Sequence, residues 1–315
     1  MKKNINQKSQ RVYDTYLVSL IKENFLKNHL ALYKRCITDI TPPCYPTTND
    51  FSIKGRGESY LTSVIDHPYA REEGVRSLLA MLSCNDENYV ILDVFGGNAY
   101  IARLAKLLNY KGTIITNDIS SYMVEITIKD KYPTTWQSAD NLHCIRYKSL
   151  NGILFAYGAH HLPINRRIDA YKEAYRVLKK NGKFVLHDFS NESSMVKYFK
   201  NVVDQFSSTG HNFTHFDETE TKNLLTGIGF KNIRSMKIRD DFVFHAKNQN
   251  QVLGKCAEYV YYMYCLEKIG DINDPKTKTL ILNSVREILG LRVKIFNDQY
   301  QCKLNREALV ITGNK

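Results

Sequence analysis

The feature that most restricts the fold is a regular alternation of short apolar runs and helical patterns between residues 86 and 190. The first run ends in Asp93 and is followed by a turn with two glycines, after which apolar residues recur with the 3.6-residue period of a helix. This alternation is typical of a parallel sheet with helices on both faces. The predicted strands are residues 89–93, 112–118, 152–156 and 184–186, with a weaker candidate within 134–145.

The flanking segments have helical patterns of their own, so we divide the chain into three parts. Residues 1–85 are predicted to form a helical cap or lid, interrupted by a proline-containing loop at 41–50. Residues 86–250 form the core, and residues 251–315 form a helical insertion plus the closing strand. The pattern leaves open whether the last strand of the sheet is 242–246 or 308–312. We expect the helix between the runs 152–156 and 184–186 to end at Asn181 and Gly182.

The first two strands and the turn between them have the composition of a nucleoside site. Gly96 and Gly97 allow the backbone to approach a ligand closely, and the following helix directs free N–H groups into the crevice. Asp118 ends the second strand, where a carboxylate can accept both ribose hydroxyls. The GxGxxG spacing of a dinucleotide-binding dehydrogenase is missing.

In these motifs the chain resembles class I S-adenosylmethionine (SAM)-dependent methyltransferases. The segments that carry the resemblance are LDVFGGNAY, TNDISSYM, ILFAYGAHHLP, AYRVLKKNGKFVLHDF and GFKNIRSMKI. The resemblance implies a doubly wound, mostly parallel seven-stranded α/β sheet that binds SAM. Phe95 and Ala99 depart from the family pattern, which has glycine at these positions. The cofactor residues implied are Asp93, Gly96, Gly97, Asn98, Asp118, Ile119, Asp140, Asn141 and Tyr157.

Candidate catalytic residues follow the fourth strand or end the fifth, because ligands bind at the carboxyl edge of an open parallel sheet. They are Tyr157, His160 and His187. Methyl transfer is an in-line displacement that needs alignment, with a base only where the nucleophile starts protonated. The cluster of tyrosines at 259–264 is open to two interpretations, as core packing or as an aromatic surface for the sulfonium.

We therefore expect an enzyme that methylates a small molecule at oxygen or nitrogen. One alternative is a SAM-consuming cyclase that forms azetidine-2-carboxylate and methylthioadenosine. A nucleic-acid methyltransferase is disfavoured because AYGAHHLP stands where base-amino enzymes have D/N-P-P-Y/F. An inactive SAM-fold scaffold is the remaining alternative.

Composition limits the partners that we expect. The net charge of +12 is spread along amphipathic segments, so a nucleic-acid partner is not predicted. The seven cysteines form no CxxC pair, so we predict neither a zinc site nor any other bound metal. Without a long apolar run or a signal-peptide pattern, the chain is expected to be cytoplasmic and free of membranes. An apolar face within 251–290 raises the hypothesis of a homodimer.

Overall fold

The structure is a computed structural model that describes residues 51, 55–82 and 86–315. The loop at 41–50 and most of the predicted cap lie outside the described residues. Two helices of the cap are described, Arg56–Asp66 and Glu72–Leu82. No helix in the described ranges is long and apolar enough to cross a membrane.

The described residues form a seven-stranded sheet, in the order β3-β2-β1-β4-β5-β10-β6, and a separate three-stranded sheet, in the order β7-β9-β8. The strands are β1 Val90–Asp93, β2 Thr113–Asp118, β3 Thr134–Trp136, β4 Leu150–Ala156, β5 Leu178–Asp188, β6 Lys231–Arg239, β7 Phe242–Ala246, β8 Leu291–Phe296, β9 Gln299–Leu304 and β10 Glu307–Asn314. The further helices are Tyr100–Leu107, Ser121–Lys129, Ile164–Val177, Ser194–Tyr198, Glu218–Ile228, Gln249–Tyr264 and Pro275–Ile288, with a π-helical turn at Phe199–Val203.

Strands β1 to β5 pair in parallel and are buried on both faces. One face of the sheet packs against helices through Ile91, Leu154 and Val185. The opposite face packs against other helices through the next residues along the strands, such as Leu92 and Phe155. Continuous apolar runs are what two-sided burial of parallel strands requires. The carboxyl ends of β1, β2 and β4 therefore meet at one edge. The predicted α/β architecture is confirmed.

The choice left open for the last strand is settled by β10, which lies between β5 and β6 and is antiparallel to both. The other candidate, 242–246, is β7 of the small sheet. The two hairpin strands β8 and β9 were not predicted.

The helix after β4 is shorter than expected. It ends at Val177, and β5 begins directly at Leu178. Asn181 adopts the left-handed conformation (φ 63°) within the early part of this strand, so Asn181 and Gly182 do not cap the helix.

The helix Gln249–Tyr264 packs against the first described helix of the cap. Arg56 donates a hydrogen bond to the carbonyl of Met263 (3.0 Å), and Ser59 donates one to the carbonyl of Tyr262 (2.7 Å). The apolar face that suggested a homodimer is turned into this packing and is internal to the chain. Its residues are buried: Val252, Cys256, Tyr259, Val260 and Met263. It therefore offers no surface for a second copy.

Candidate active site

The glycine turn after β1 is tied directly to the acid at the end of β2. Gly97 has a positive φ (53°), and its N–H donates to Asp118 Oδ2 (2.9 Å). The N–H of Ser120 donates to Asp118 Oδ1 (2.8 Å), while the Ser120 hydroxyl caps the next helix. A Cβ on Gly96 would meet Thr116 Cγ2 at 2.4 Å, so this position needs glycine for packing. The carboxylate is thus fixed at the crevice, where ribose binding was predicted.

The two departures from glycine are accommodated locally. Ala99 adopts the left-handed conformation (φ 63°) just before the helix at Tyr100, a conformation that is costly for alanine. Phe95 packs edge-on against Phe155, and a Cβ on Gly158 would lie 2.7 Å from Phe95 Cβ. Gly158 therefore leaves room for the ring that replaces a glycine in the turn.

A cavity of about 620 Å³ opens at this edge of the sheet and reaches from Asp118 to the histidines that follow β4. This volume is in the range of small-molecule sites. Of the predicted residues, six line the cavity: Gly97, Asp118, Ile119, Asp140, Tyr157 and His160. The others do not line it: Asp93, Gly96, Asn98, Asn141 and His187.

Asp140 lies in the half of the cavity next to Asp118. Its carboxylate accepts from the Ser138 hydroxyl and forms an ion pair with Arg166. Asn141 is exposed and points elsewhere. The carboxylate of Asp93 is buried below the turn, and it has no hydrogen-bond partner among the described residues. Burial and the neighbouring charge of Asp118 raise the pKa of Asp93 to about 8, although the charge of Arg71 opposes this.

Tyr157 ends β4 with a left-handed backbone (φ 60°), which turns its ring over the cavity. Its hydroxyl donates to Asp240 Oδ1 (3.0 Å), a buried carboxylate that also forms an ion pair with Arg306 (3.1 Å). His187 lies under the Tyr157 ring and has its Nε2 3.5 Å from Asp240 Oδ2. Since His187 is fully buried away from the cavity, it can act only through Tyr157 and Asp240, as a positioning residue.

His160 is held by Asp188 at the end of β5. The Nδ1 of His160 is 2.8 Å from Asp188 Oδ1, and the backbone N–H of His160 donates to Oδ2 (3.0 Å). Burial opposes ionisation of Asp188, but the charge and hydrogen bond of His160 outweigh it and lower the pKa of this carboxyl. An ionised carboxylate only accepts hydrogen bonds, so in the neutral form of His160 the proton is on Nδ1 and the lone pair is on Nε2. Nε2 is buried and has no partner among the described residues.

Two further histidines pack against His160 from the loop that follows the π-helical turn, and one of them, His211, lines the cavity. The ring centroids of His211 and His215 lie 4.9 Å and 5.0 Å from that of His160. Burial and the neighbouring charge of His160 lower the pKa of His215 to about 4, so this ring is neutral near pH 7. Arg167 anchors the loop by donating to the carbonyls of Thr214 and His215.

The ligating atoms of His160, Asp188 and His215 lie within 4.8 Å of one another, a spacing that is compatible with a metal ion. However, Asp188 already accepts from His160 and from the N–H of Phe189 (2.8 Å). The carboxylate is thus satisfied as the partner of a histidine, and its chemistry fits an orienting role.

Arg71 lines the cavity and is surrounded by tyrosine side chains. Its guanidinium lies 4.0 Å from the ring centre of Tyr100 and 4.7 Å from that of Tyr157, and it donates to the hydroxyl of Tyr60 (3.0 Å). The residues singled out from the sequence did not include Arg71, Arg306, His211 or His215. Of these, only the histidines left a signal there, as the run HNFTHF, which places histidine and phenylalanine together in a polar segment.

Comparisons with known proteins agree with this geometry. The family model described as a methyltransferase domain matches residues 92–186. No curated protein matches the chain. The matched segment, residues 92–186, is similar to a methyltransferase domain, and the sheet has the fold of class I SAM-dependent methyltransferases.

Solved structures share the fold at low identity. A SAM-dependent methyltransferase, possible histamine N-methyltransferase, from Thermotoga maritima is 18% identical, with 84% of this chain and 100% of that chain covered and a TM-score of 0.51. Phosphoethanolamine N-methyltransferase 2 of Haemonchus contortus with bound SAM is 12% identical, with 86% and 60% covered and a TM-score of 0.54. A putative methyltransferase of Haloferax volcanii in complex with the Trm112 activator is 13% identical, with 84% and 97% covered and a TM-score of 0.52.

Proposed function

We propose that this enzyme methylates a small molecule at an oxygen or nitrogen atom, with His160 as the general base. The observation that carries the proposal is the continuity of one cavity from Asp118 to the His160–Asp188 pair. SAM bound with its ribose at Asp118 directs its methionine end along the glycine turn towards the part of the cavity that holds His160. The acceptor then lies between the methyl group and Nε2 of His160.

The transfer step is a displacement at the methyl carbon. The acceptor forms a bond to the methyl group as the bond from carbon to sulfur breaks, and S-adenosylhomocysteine leaves. His160 takes the proton that the acceptor loses, and the charge of Asp188 stabilises the imidazolium that forms. Tyr157 and Arg71 border the methionine end, where Arg71 is suited to pair with the carboxylate of SAM.

One experiment separates the acceptor classes. The protein is incubated with SAM that carries a trideuterated methyl group, together with either a small-molecule extract or purified RNA. We expect label in a small-molecule product, its loss with His160→Gln, and its retention with His245→Gln, a change at an exposed histidine on β7. Label in the RNA, or full activity of His160→Gln, would contradict the proposal.

The cyclase alternative is favoured by one observation, the tyrosine-lined surroundings of Arg71 beside the turn that receives the methionine end. In that reaction the amino nitrogen of SAM attacks its own γ-carbon, the bond from that carbon to sulfur breaks, and methylthioadenosine leaves while a base takes the proton. Incubation with SAM alone tests it by mass spectrometry. Methylthioadenosine formed without an acceptor would replace the methyltransferase proposal.

A further inference from the structure

Besides Arg166, which is paired with Asp140, three arginines line the cavity: Arg56, Arg71 and Arg306. Arg71 and Arg306 are 4% and 3% exposed, and Arg56 is half-buried. A guanidinium keeps its charge under all ordinary conditions, and a buried charge is costly unless an opposite charge pairs with it. Each of these charges therefore needs a partner in the working enzyme.

The protein supplies such a partner for only one of them within its described residues. Arg306 is paired with Asp240 at 3.1 Å. Arg71 donates a hydrogen bond to the hydroxyl of Tyr60 and lies against the faces of tyrosine rings. Arg56 donates a hydrogen bond to the carbonyl of Met263, and its guanidinium lies 4.5 Å from the ring centre of Phe51. Neither Arg56 nor Arg71 forms an ion pair with a carboxylate in the described ranges.

The nearest carboxylate that influences Arg56 belongs to Glu267. This side chain is exposed, and its Oε1 accepts a hydrogen bond from the thiol of Cys265 (2.8 Å). The ring of Phe51 lies 4.5 Å from the Arg56 guanidinium, and its centre is 6.5 Å from that of the His161 ring, so the guanidinium is on the histidine side of the cavity. Arg56 thus lies in the half of the cavity that receives the acceptor.

SAM cannot neutralise this half of the cavity. SAM carries two positive groups, the sulfonium and the ammonium, and one carboxylate. Under the proposed function that carboxylate pairs with Arg71, beside the glycine turn. Arg56 then has no ion-pair partner among residues 51, 55–82 and 86–315, and the bound cofactor adds positive charge to its surroundings.

We propose that the methyl acceptor is an anion whose carboxylate or phosphate group binds to Arg56. This inference rests on the proposed function and specifies its substrate class. Phe199 and Phe213 line the same part of the cavity and provide apolar surface for the body of the acceptor. A guanidinium fork matches both anions in geometry, whereas an amine cation would be repelled.

The test measures binding to the protein saturated with S-adenosylhomocysteine, by calorimetry or ligand-observed NMR. The probes are benzoate, phenyl phosphate, neutral benzamide and cationic benzylamine, which share a ring and differ in charge. We expect the anions to bind and the other two to bind at least tenfold more weakly, in line with the strength of a charged hydrogen bond of about 1.5–3 kcal/mol. The stronger of the two anions identifies the acceptor as a carboxylate or a phosphate.

Three variants complete the test. Arg56→Gln is expected to weaken binding of the anions about 10- to 100-fold, Arg56→Lys is expected to lose less, and Arg76→Gln, at an exposed arginine, is expected to lose nothing. Equal affinity for benzamide and benzoate, or unchanged anion binding by a folded Arg56→Gln variant, would overturn the inference. Failure of the wild type to bind S-adenosylhomocysteine would instead overturn the proposed function.

Discussion

Asp188 accepts hydrogen bonds from both the ring and the backbone of His160, with 2.8 Å from Nδ1 to Oδ1 and 3.0 Å from the backbone nitrogen to Oδ2. The first contact fixes the tautomer of the imidazole, and the second fixes the position of the residue on the edge of the sheet. A histidine held in this way has a fixed ring orientation, with its Nε2 buried and without a partner among the described residues. The pair thus has the geometry of a base and its orienting carboxylate.

We predict that Asp188→Asn lowers kcat about 100-fold or more while the affinity for SAM changes little, since general base catalysis contributes about 10²- to 10⁴-fold. An amide can donate to Nδ1 and stabilise the wrong tautomer. Steady-state kinetics with the acceptor whose labelled product is found in the experiment above would measure kcat, and calorimetry would measure the Kd for SAM. A variant with normal kcat would remove Asp188 and His160 from the mechanism.

Asp118 is predicted to dominate the binding of the cofactor. Asp118→Ala removes an acceptor for the ribose hydroxyls and also the anchor of the Gly97 N–H, so the Kd for S-adenosylhomocysteine should rise about 10- to 100-fold. Calorimetry measures the Kd. Asp130→Ala, which removes a half-exposed carboxylate paired with Arg103, is the matched control and should leave the Kd unchanged. Equal affinities of the two variants would contradict ribose binding at Asp118.

The buried carboxyl of Asp93 is predicted to make the free protein less stable as the pH rises. Its pKa is about 8 in the folded protein, against 3.8 as an ordinary value. Between these values the folded state holds a proton that the unfolded state has lost, so the free energy of unfolding falls by roughly 1.4 kcal/mol per pH unit. Asp93→Asn should remove this slope between about pH 4 and about pH 8.

Urea unfolding of the ligand-free protein and of Asp93→Asn at several pH values would measure the difference. Asp130→Asn serves as the control, and it should keep the wild-type slope. Parallel curves for the wild type and Asp93→Asn would mean that Asp93 ionises normally despite its burial.

Tyr157 supports a buried carboxylate in addition to bordering the cavity. Tyr157→Phe leaves Asp240 Oδ1 without the hydroxyl that donates to it at 3.0 Å. The loss of a hydrogen bond to a buried charged group should lower the free energy of unfolding by about 1.5–3 kcal/mol. Chemical denaturation measures this change, and Tyr147→Phe, at an exposed ring, should cost little. A fully stable Tyr157→Phe protein would show that Arg306 alone satisfies Asp240.

Two of the predicted residues that line the cavity, Gly97 and Asp118, are close to one another along the chain. Asp93, Gly97 and Asp118 belong to one unit of strand, turn and helix, so their spacing alone indicates where they meet. Arg71, Asp240 and Arg306 could not be found in this way. Arg71 and Arg306 line the cavity from a helix boundary and a loop before β10, while Asp240, in the loop after β6, is buried and pairs with Arg306. Only the tertiary fold brings such positions together.

The small sheet illustrates a second limit. In β8 polar and apolar residues alternate, as in Leu291, Val293 and Ile295, but the segment is short and most of its side chains are exposed. Its partner β9 turns back through Asn297 and Asp298, both with positive φ. A two-residue turn of this kind is typical of a β-hairpin, but the hairpin was not predicted from the sequence. The two predicted helices that precede β8 were correct because their periodicity extends over more turns.

The central position of β10 leads to the last prediction. Ile311 lies between Leu186 of β5 and Ser235 of β6 and is fully buried, although it is only five residues from the end of the sequence given. Ile311→Ala should lower the free energy of unfolding by about 2–5 kcal/mol, since the cavity left in a packed sheet cannot collapse fully. Ile295→Ala makes the same change at a side chain that is 68% exposed, and it should cost less than about 0.5 kcal/mol. Urea unfolding of both variants measures the difference. Equal costs would mean that β10 does not close the sheet, and that the strand near the end of this sequence does not hold β5 and β6 together.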